Sequence, residues 1–525
     1  MSSALTFHCI HDVLSHQAHE RPEAIALYEE GGGALTYGGL WQRAQAAATW
    51  LQAQGVGAGD RVMVVGENCS DMVVALFACS VIHAWPVSVN ARLSPRELGA
   101  IREHASPVLV LYTTQVSAAA AGHADADEAR AADPAVWSAG CRVGVTGAEA
   151  AAHGQAVAAP PAGTSQAGGD IPADRVACII YTSGTTGAPK GVMVPHEGLI
   201  HFGRISSASR RLTPDDIGYA ALPFSHIFGI ATVLMASVYA GASLVVRSRF
   251  DAADVFAALV HPGISILQGV PTMFSRLMAV APPGKIEAPK LRYLYTGGAA
   301  LDPTLKVRVQ DAFGLPMHHG YGITEYAGSM CITDIDAPRD DASAGHPVEG
   351  VTVHIGPLDE PSRKGGVTGD IFIHGPGVML GYYRNPGLTA ATLHPGGWLD
   401  TGDVGYIDDS GALFIAGRTK DLIIRSGFNV YPLEVESVIN AFPGVRASAV
   451  IGVEEADRNE EVVAFIEALP GAEVDLPSLR DFLRDRLAPY KRPARLIAID
   501  TLPTTVSGKI LKQPLRERVP ARTPA

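Results

Sequence analysis

The sequence predicts an α/β fold of more than one domain, and three observations carry that expectation. Up to about Ala344, short apolar runs of strand character alternate with segments of helical spacing, the pattern of parallel sheet with crossover helices. From Ala344 the texture changes to short alternating runs rich in glycine, which suits a small β-rich subdomain. Beyond Arg418-Thr419-Lys420-Asp421 the pattern reads helix, strand, strand, helix, strand, an α+β unit of about 100 residues and of domain size. With 525 residues the chain exceeds one ordinary core. The expected domains are 1–418 and 419–525.

Taken in order, Thr36 caps a helix whose apolar positions Leu40, Ala44, Ala47, Ala48 and Leu51 recur at helical spacing, and Gly55, Gly57 and Gly59 stop it. Residues 62–65 read as a strand, 71–82 as a helix and 86–89 as a strand. Ser94 caps the next helix with Pro95 in its first turn, and 108–112 is a further strand. Between about 117 and 172 the pattern fades into Ala, Gly, His and Asp, and an irregular, mobile surface segment is expected, with one short element near 142–145. Alternation then resumes. Residues 220–229 join a strand to an apolar helix, and strands are expected at 244–246, 264–267 and 293–295. The last of these runs into Thr296-Gly297-Gly298-Ala299-Ala300 before a helix capped by Asp302 with Pro303. Residues 318–325 read as a glycine-interrupted loop. Strands at 351–355, 369–373 and 412–415 make the β-rich part. In the last unit, Pro432 opens an amphipathic helix, followed by strands at 447–453 and 461–467, a helix at 478–487 and a strand at 496–499.

Composition narrows the function. The chain is 47% apolar and 18% charged, a globular balance rather than a disordered one. Its formal charge is −12 with no basic run, so nucleic acid is not an expected partner, and an anionic substrate must be held by local donors. Cys9, Cys69, Cys79, Cys141, Cys178 and Cys331 form no CxxC pair, which suits reduced thiols in a cytoplasmic protein with no cysteine metal site. The first residues lack the basic start and long apolar core of a signal peptide. No integral membrane segment is expected; the longest apolar stretch, 227–246, is broken by Gly229 and Gly241 and reads as a buried helix and strand.

The stretch richest in chemistry is Tyr181-Thr182-Ser183-Gly184-Thr185-Thr186-Gly187-Ala188-Pro189-Lys190, after the apolar run Ala177-Cys178-Ile179-Ile180. Its glycines let backbone N–H groups turn toward phosphate oxygens, its hydroxyls add donors, and Lys190 adds a point charge. A P-loop is excluded by spacing, since Lys190 is preceded by Pro189 and followed by Gly191.

This loop resembles the phosphate-loop signature of the adenylate-forming superfamily, which includes acyl- and aryl-CoA ligases, peptide-synthetase adenylation domains and luciferases. Four further segments resemble that superfamily in order: Tyr321-Gly322-Ile323-Thr324-Glu325 (YGxTE), Trp398-Leu399-Asp400-Thr401-Gly402-Asp403 (WxxTGD), Gly417-Arg418-Thr419-Lys420-Asp421 (GRxKD) and Pro503-Thr504-Thr505-Val506-Ser507-Gly508-Lys509 (PxTxxGK). The resemblance implies a large N-terminal domain and a small mobile C-terminal one. It implies two half-reactions: a carboxylate attacks the α-phosphate of ATP, then a thiol, usually of coenzyme A, displaces AMP. Adenylation is chemically necessary because a carboxylate oxygen is a poor leaving group, whereas a phosphate monoester is a good one.

The resemblance also implies roles. Lys509 would bridge the substrate carboxylate and the α-phosphate. Thr182, Ser183, Gly184, Thr185, Thr186, Gly187 and Lys190 would hold the outer phosphates. Glu325 would ligate Mg²⁺, and Thr324 would donate to the α-phosphate. Gly298, Ala299 and Ala300 would admit the adenine edge, on which Tyr321, flanked by Gly320 and Gly322, would stack. Asp403 would accept from the ribose hydroxyls and Arg418 would contact ribose or phosphate. Lys420 falls at the hinge, and Ser426, Gly427 and Phe428 would face the pantetheine channel. There Ile424 departs from the lysine that many relatives place at this position. His226 would border the acyl site.

By family position the pocket walls are 224–233, 269–274 and 295–299, mostly apolar, aromatic or small. No Arg or Lys occurs from Pro223 to Leu244, so a second substrate carboxylate lacks an obvious partner there. An apolar monocarboxylic acid is expected, medium- or long-chain fatty or aryl. The alternatives are a stand-alone adenylation enzyme loading a carrier-protein thiol, and a non-catalytic nucleotide binder. A homodimer is left open.

Overall fold

The computed structural model describes residues 6–145, 171–183, 189–299, 301–425, 428–454, 460–505 and 510–519. The large N-terminal domain is built on two sheets. The larger has nine strands, in the order His346–Pro347, Gly328–Ile332, Met317–Ile323, Tyr293–Gly297, Ile266–Gly269, Ile217–Ala220, Ser243–Val246, Ile25–Tyr28 and Ala34–Thr36. From Met317–Ile323 to Ile25–Tyr28 neighbours run parallel, and antiparallel strands close both edges. The second sheet runs Trp85–Asn90, Arg61–Gly66, Leu109–Thr113, Cys141–Val145 and Arg130–Ala131.

The main core lies between these sheets. Alternation along Arg61–Gly66 sends Val62 and Val64 into it and turns Met63 and Val65 to a second core on the other face. Helices Tyr37–Ala53 and Ser70–Val81 fill it; Leu40, Ala44, Ala47, Ala48 and Leu51 are all buried. The expected caps form. Thr36 Oγ1 accepts from the Gly39 N–H at 3.1 Å, and Asp302 Oδ1 accepts from the Thr304 N–H at 2.7 Å. Ser94 and Glu97 cap Pro95–Ala105 reciprocally.

Two expectations are corrected. The stretch after 117 is not irregular throughout. Ser117 caps a helix, Ala118–Ala126, while the short element expected near 142–145 forms as the strand Cys141–Val145 of the second sheet. The helix is so rich in alanine that its buried positions, Ala120 and Ala124, give no apolar contrast to read. The rest of that stretch, 146–170, lies outside the described residues. Residues 318–325 are not a loop up to 323. Met317–Ile323 is a strand paired on both sides, and its glycines mark close approach rather than a break.

The stretch 227–246 is buried as expected, with a π-helix at Phe228–Met235, an α-helix at Ala236–Ala240 and a strand at Ser243–Val246. Among the described residues no helix is long and apolar enough to cross a membrane. The β-rich part pairs Thr352–Ile355, Gly369–His374, Trp398–Ile407 and Leu413–Arg418. The small C-terminal domain has a sheet of Val445–Glu454, Glu460–Ala468 and Arg495–Ala498, packed on helices Pro432–Asn440 and Leu476–Arg486.

Candidate active site

In open parallel sheets, ligands bind beyond the carboxyl ends of the strands. Three such ends lie side by side here, on Ile266–Gly269, Tyr293–Gly297 and Met317–Ile323. Gly298 follows them with φ +76°, a conformation that favours glycine, and Ala299 comes next. A Cβ at Gly320 would lie 2.0 Å from Tyr295 Oη, so this strand approaches its neighbour where only glycine fits.

The phosphate-loop motif is carried by a hairpin, Val176–Ser183 with Pro189–Pro195, in which Thr182 pairs with Lys190 and Ser183 with Pro189. Gly184, Thr185, Thr186 and Gly187 lie outside the described residues. Segment 378–383 ties this hairpin to the strand ends. Tyr383 N–H donates to Gly191 O at 2.7 Å, Met193 N–H to Gly381 O at 3.0 Å, and Met379 N–H to Glu325 O at 2.9 Å. The Tyr382 hydroxyl donates to Glu325 Oε1 at 2.7 Å, and Lys190 Nζ lies 6.0 Å from the centre of the Tyr382 ring. The Glu325 carboxylate and the loop lysine thus share one tyrosine. Thr324, beside them, is buried.

A second group gathers around Asp403. The strands Trp398–Ile407 and Leu413–Arg418 set Asp403 opposite Arg418, whose Nε lies 3.1 Å from Asp403 Oδ1. The Tyr321 hydroxyl donates to Asp403 Oδ2 at 2.6 Å, between Gly320 and Gly322. Asp403 is only 4% exposed, so its carboxylate is held by a phenol and a guanidinium. Burial, then the Asp403 charge, pushes the Tyr321 phenol well above its ordinary pKa and keeps it a donor. Lys420 follows in the single turn Thr419–Asp421. Burial lowers its ammonium pKa, and Arg418 lowers it further, with Lys190 also contributing. The Asp421 and Asp403 carboxylates act on it in the opposite sense.

His226 sits at the turn into the π-helix, where the Phe228 N–H donates to His226 Nδ1 at 3.2 Å. Phe228 borders Gly297 and Gly298 and meets the Tyr295 ring edge-on at 5.9 Å, so segments 224–233 and 295–299 touch there. Phe428 does not join this group. It stacks on Tyr490 in the C-terminal domain, centroids 4.6 Å apart, and is 55% exposed. Ala300, Ser426, Gly427 and Lys509 lie outside the described residues.

Sequence reasoning missed Tyr382. It belongs to no quoted motif, and no local signal marks it.

Comparison with known proteins gives the family. Residues 14–383 match the AMP-binding enzyme family and 434–509 match the AMP-binding enzyme C-terminal domain. A feruloyl-CoA synthase of Amycolatopsis is 35% identical over 96% of this chain and 97% of its own length. A long-chain-fatty-acid–CoA ligase of Mycobacterium tuberculosis is 33% identical over 93% of this chain and 94% of its own. The crystal structure of ATP-bound MatB from Rhodopseudomonas palustris aligns with a TM-score of 0.81 at 30% identity, covering 97% of this chain and 98% of that one.

Proposed function

The chain belongs to the AMP-binding enzyme family and is an AMP-forming acid–thiol ligase, and from that premise we propose that it joins an apolar monocarboxylic acid, fatty or aryl, to coenzyme A. The observation that carries the reading is the buried Asp403, held between Tyr321 and Arg418 beside the Lys190 and Lys420 charges. That is a cradle for a ribose and its phosphates. Asp403 accepts from the ribose hydroxyls, Tyr321 stacks on adenine, and Gly298, Ala299 and Ala300 admit the base. The loop residues Thr182 to Gly187, with Lys190, hold the outer phosphates.

The chemistry has two balanced steps. The acid's carboxylate oxygen attacks the α-phosphorus and the bond to pyrophosphate breaks. The thiol sulfur then attacks the acyl carbon and AMP leaves with its bridging oxygen. Lys509 and Thr324 stabilise charge on the α-phosphate in the first step. His226 and Phe228 border the acyl group.

A hard cation fits the other end of the site. Glu325 presents a carboxylate braced by Tyr382, and among the described residues no cluster of three or more ligating side chains accompanies it. One carboxylate plus substrate phosphates is the habit of Mg²⁺. Held by Glu325, it would supply positive charge that offsets charge developing on the phosphates.

We place the boundary at 418/419 with Lys420 as hinge, which the lone turn Thr419–Asp421 supports. A reducing cytoplasm suits the six cysteines, all buried and none in a disulfide. The test is AMP release with ATP, Mg²⁺ and a panel of acids, with and without coenzyme A, for the wild type and Lys509→Ala. Coenzyme A-dependent AMP from an apolar acid, lost in the variant, supports the reading. Acid-driven pyrophosphate exchange that coenzyme A leaves unchanged would move the acceptor to a carrier-protein thiol.

A further inference from the structure

Helix Pro95–Ala105 ends beside the phosphate hairpin, and one residue of its last turn is held by two separate segments. His104 Nδ1 and the Tyr181 hydroxyl are hydrogen-bonded at 2.7 Å, and the two rings meet edge-on with centroids 5.7 Å apart. The His104 carbonyl accepts from Arg384 Nη1 at 2.9 Å, and the same nitrogen donates to Ser106 Oγ at 2.8 Å. Tyr383 completes the knot. Its buried ring meets His104 edge-on at 5.8 Å, and the Arg384 guanidinium lies 5.1 Å from its centre.

Two of these positions carry strained backbone. Ser106 has φ +45° and Arg384 has φ +52°, in the left-handed region that residues other than glycine rarely adopt. The two are bonded to each other, through Arg384 Nη1 and Ser106 Oγ. Backbone of this kind persists only where its surroundings hold it, and it gathers where a site needs fixed geometry.

What the knot holds is the entrance to the phosphate loop. Tyr181 directly precedes Thr182, and its strand partner is Gly191, next to Lys190. A Cβ at Gly191 would lie 3.1 Å from Tyr181 Cζ, so glycine there leaves room for the ring. Tyr383 N–H donates to Gly191 O, and Tyr382 beside it donates to the Glu325 carboxylate. His104 thus ties two things to one helix end: the hairpin through its side chain, and the segment that braces Glu325 through its carbonyl. Burial, then the Arg384 charge, lowers the His104 pKa, so the imidazole meets the phenol neutral.

We propose that His104 is a positioning residue for the outer phosphates of ATP: through Tyr181 and Arg384 it fixes the phosphate hairpin and the Glu325 brace relative to one another. The inference rests on the reading that Thr182 to Lys190 hold those phosphates, and it adds a residue that no motif marks. It carries a signature. AMP lacks the outer phosphates, so its binding should not depend on His104.

The experiment is calorimetric titration of the full chain with Mg-ATP and with AMP, melting temperatures being measured beside it. The proteins are the wild type, His104→Leu, His104→Asn, Tyr181→Phe and the His104→Leu, Tyr181→Phe pair. His104→Leu and Tyr181→Phe should each weaken ATP about tenfold, the effect of one buried polar group left without its partner. Both should leave AMP unchanged. The double variant should bind ATP no more weakly than the worse single one, because both changes remove the same bond. His104→Asn, whose amide stands near the place of Nδ1, should recover most of the affinity. A merely structural knot would lower the melting temperature and weaken both nucleotides alike, or neither; each result overturns the inference, and so do additive losses. Tyr181→Phe removes only a hydroxyl and decides the matter where His104→Leu fails to fold. A wild type that binds no ATP would remove the ligase reading and the inference with it. Wild-type ATP binding that the variants leave unchanged would remove the inference alone.

Discussion

At the scale of single residues, Asp403 decides whether the site is a nucleotide cradle. Its two oxygens already take a phenol and a guanidinium, so the geometry of any further partner is tightly constrained. Asp403→Asn keeps the shape and removes the charge. It should raise KM for ATP at least about tenfold, the loss expected for hydrogen bonds to a charged group, while the fold survives. Titration of ATP in the pyrophosphate-exchange assay measures this, and an unchanged KM would remove Asp403 from the ribose. The residue scale is also where motif reading works best. Tyr321, Glu325, Asp403 and Arg418 stand out because each sits in a short segment that resembles a motif of the adenylate-forming superfamily. Tyr382 acquires meaning only when segments far apart in the chain meet, as it does at Glu325.

At the scale of elements, the strand Met317–Ile323 carries a pH dependence. Burial lowers the pKa of both His318 and His319 to about 4, and Lys306 contributes in each case. Unfolded, each imidazole regains an ordinary value near 6.5 and takes up a proton that the folded strand refuses. Below that value the unfolded chain binds more protons, so stability falls as pH drops from 6.5 toward 4. Thermal unfolding across that window should show a falling midpoint, and replacing both histidines with asparagine should flatten the slope. A flat wild-type profile would contradict it. The same strand shows where element reading stops. Caps such as Thr36, Ser94 and Asp302 are legible because they act over three or four residues. Gly320 and Gly322 look like breaks because their reason is a neighbouring strand rather than their own. The helix Ala118–Ala126 escaped because alanine signals helix without signalling a face.

At the scale of the whole molecule, the proposed function puts the C-terminal domain in two positions for its two half-reactions, with Lys420 as the proposed pivot. Proline fixes φ, so Lys420→Pro should spare acid-dependent pyrophosphate exchange while lowering thioester formation by at least about tenfold. Equal loss of both activities would place Lys420 in binding instead of rotation. The mixed α/β fold with a large N-terminal and a small C-terminal domain was legible because changes of texture run over many residues. The acid was not, because the walls expected by family position come from segments far apart in the chain, 224–233, 269–274 and 295–299. Above these details stands the claim that the acid is activated by bonding to the α-phosphate of ATP. The direct measurement uses an acid labelled with heavy oxygen in its carboxylate, turned over with ATP and coenzyme A, followed by mass analysis of the products. The account predicts one labelled oxygen in the phosphate of AMP and none in pyrophosphate. Label absent from AMP, or present in an inorganic phosphate product, would contradict it.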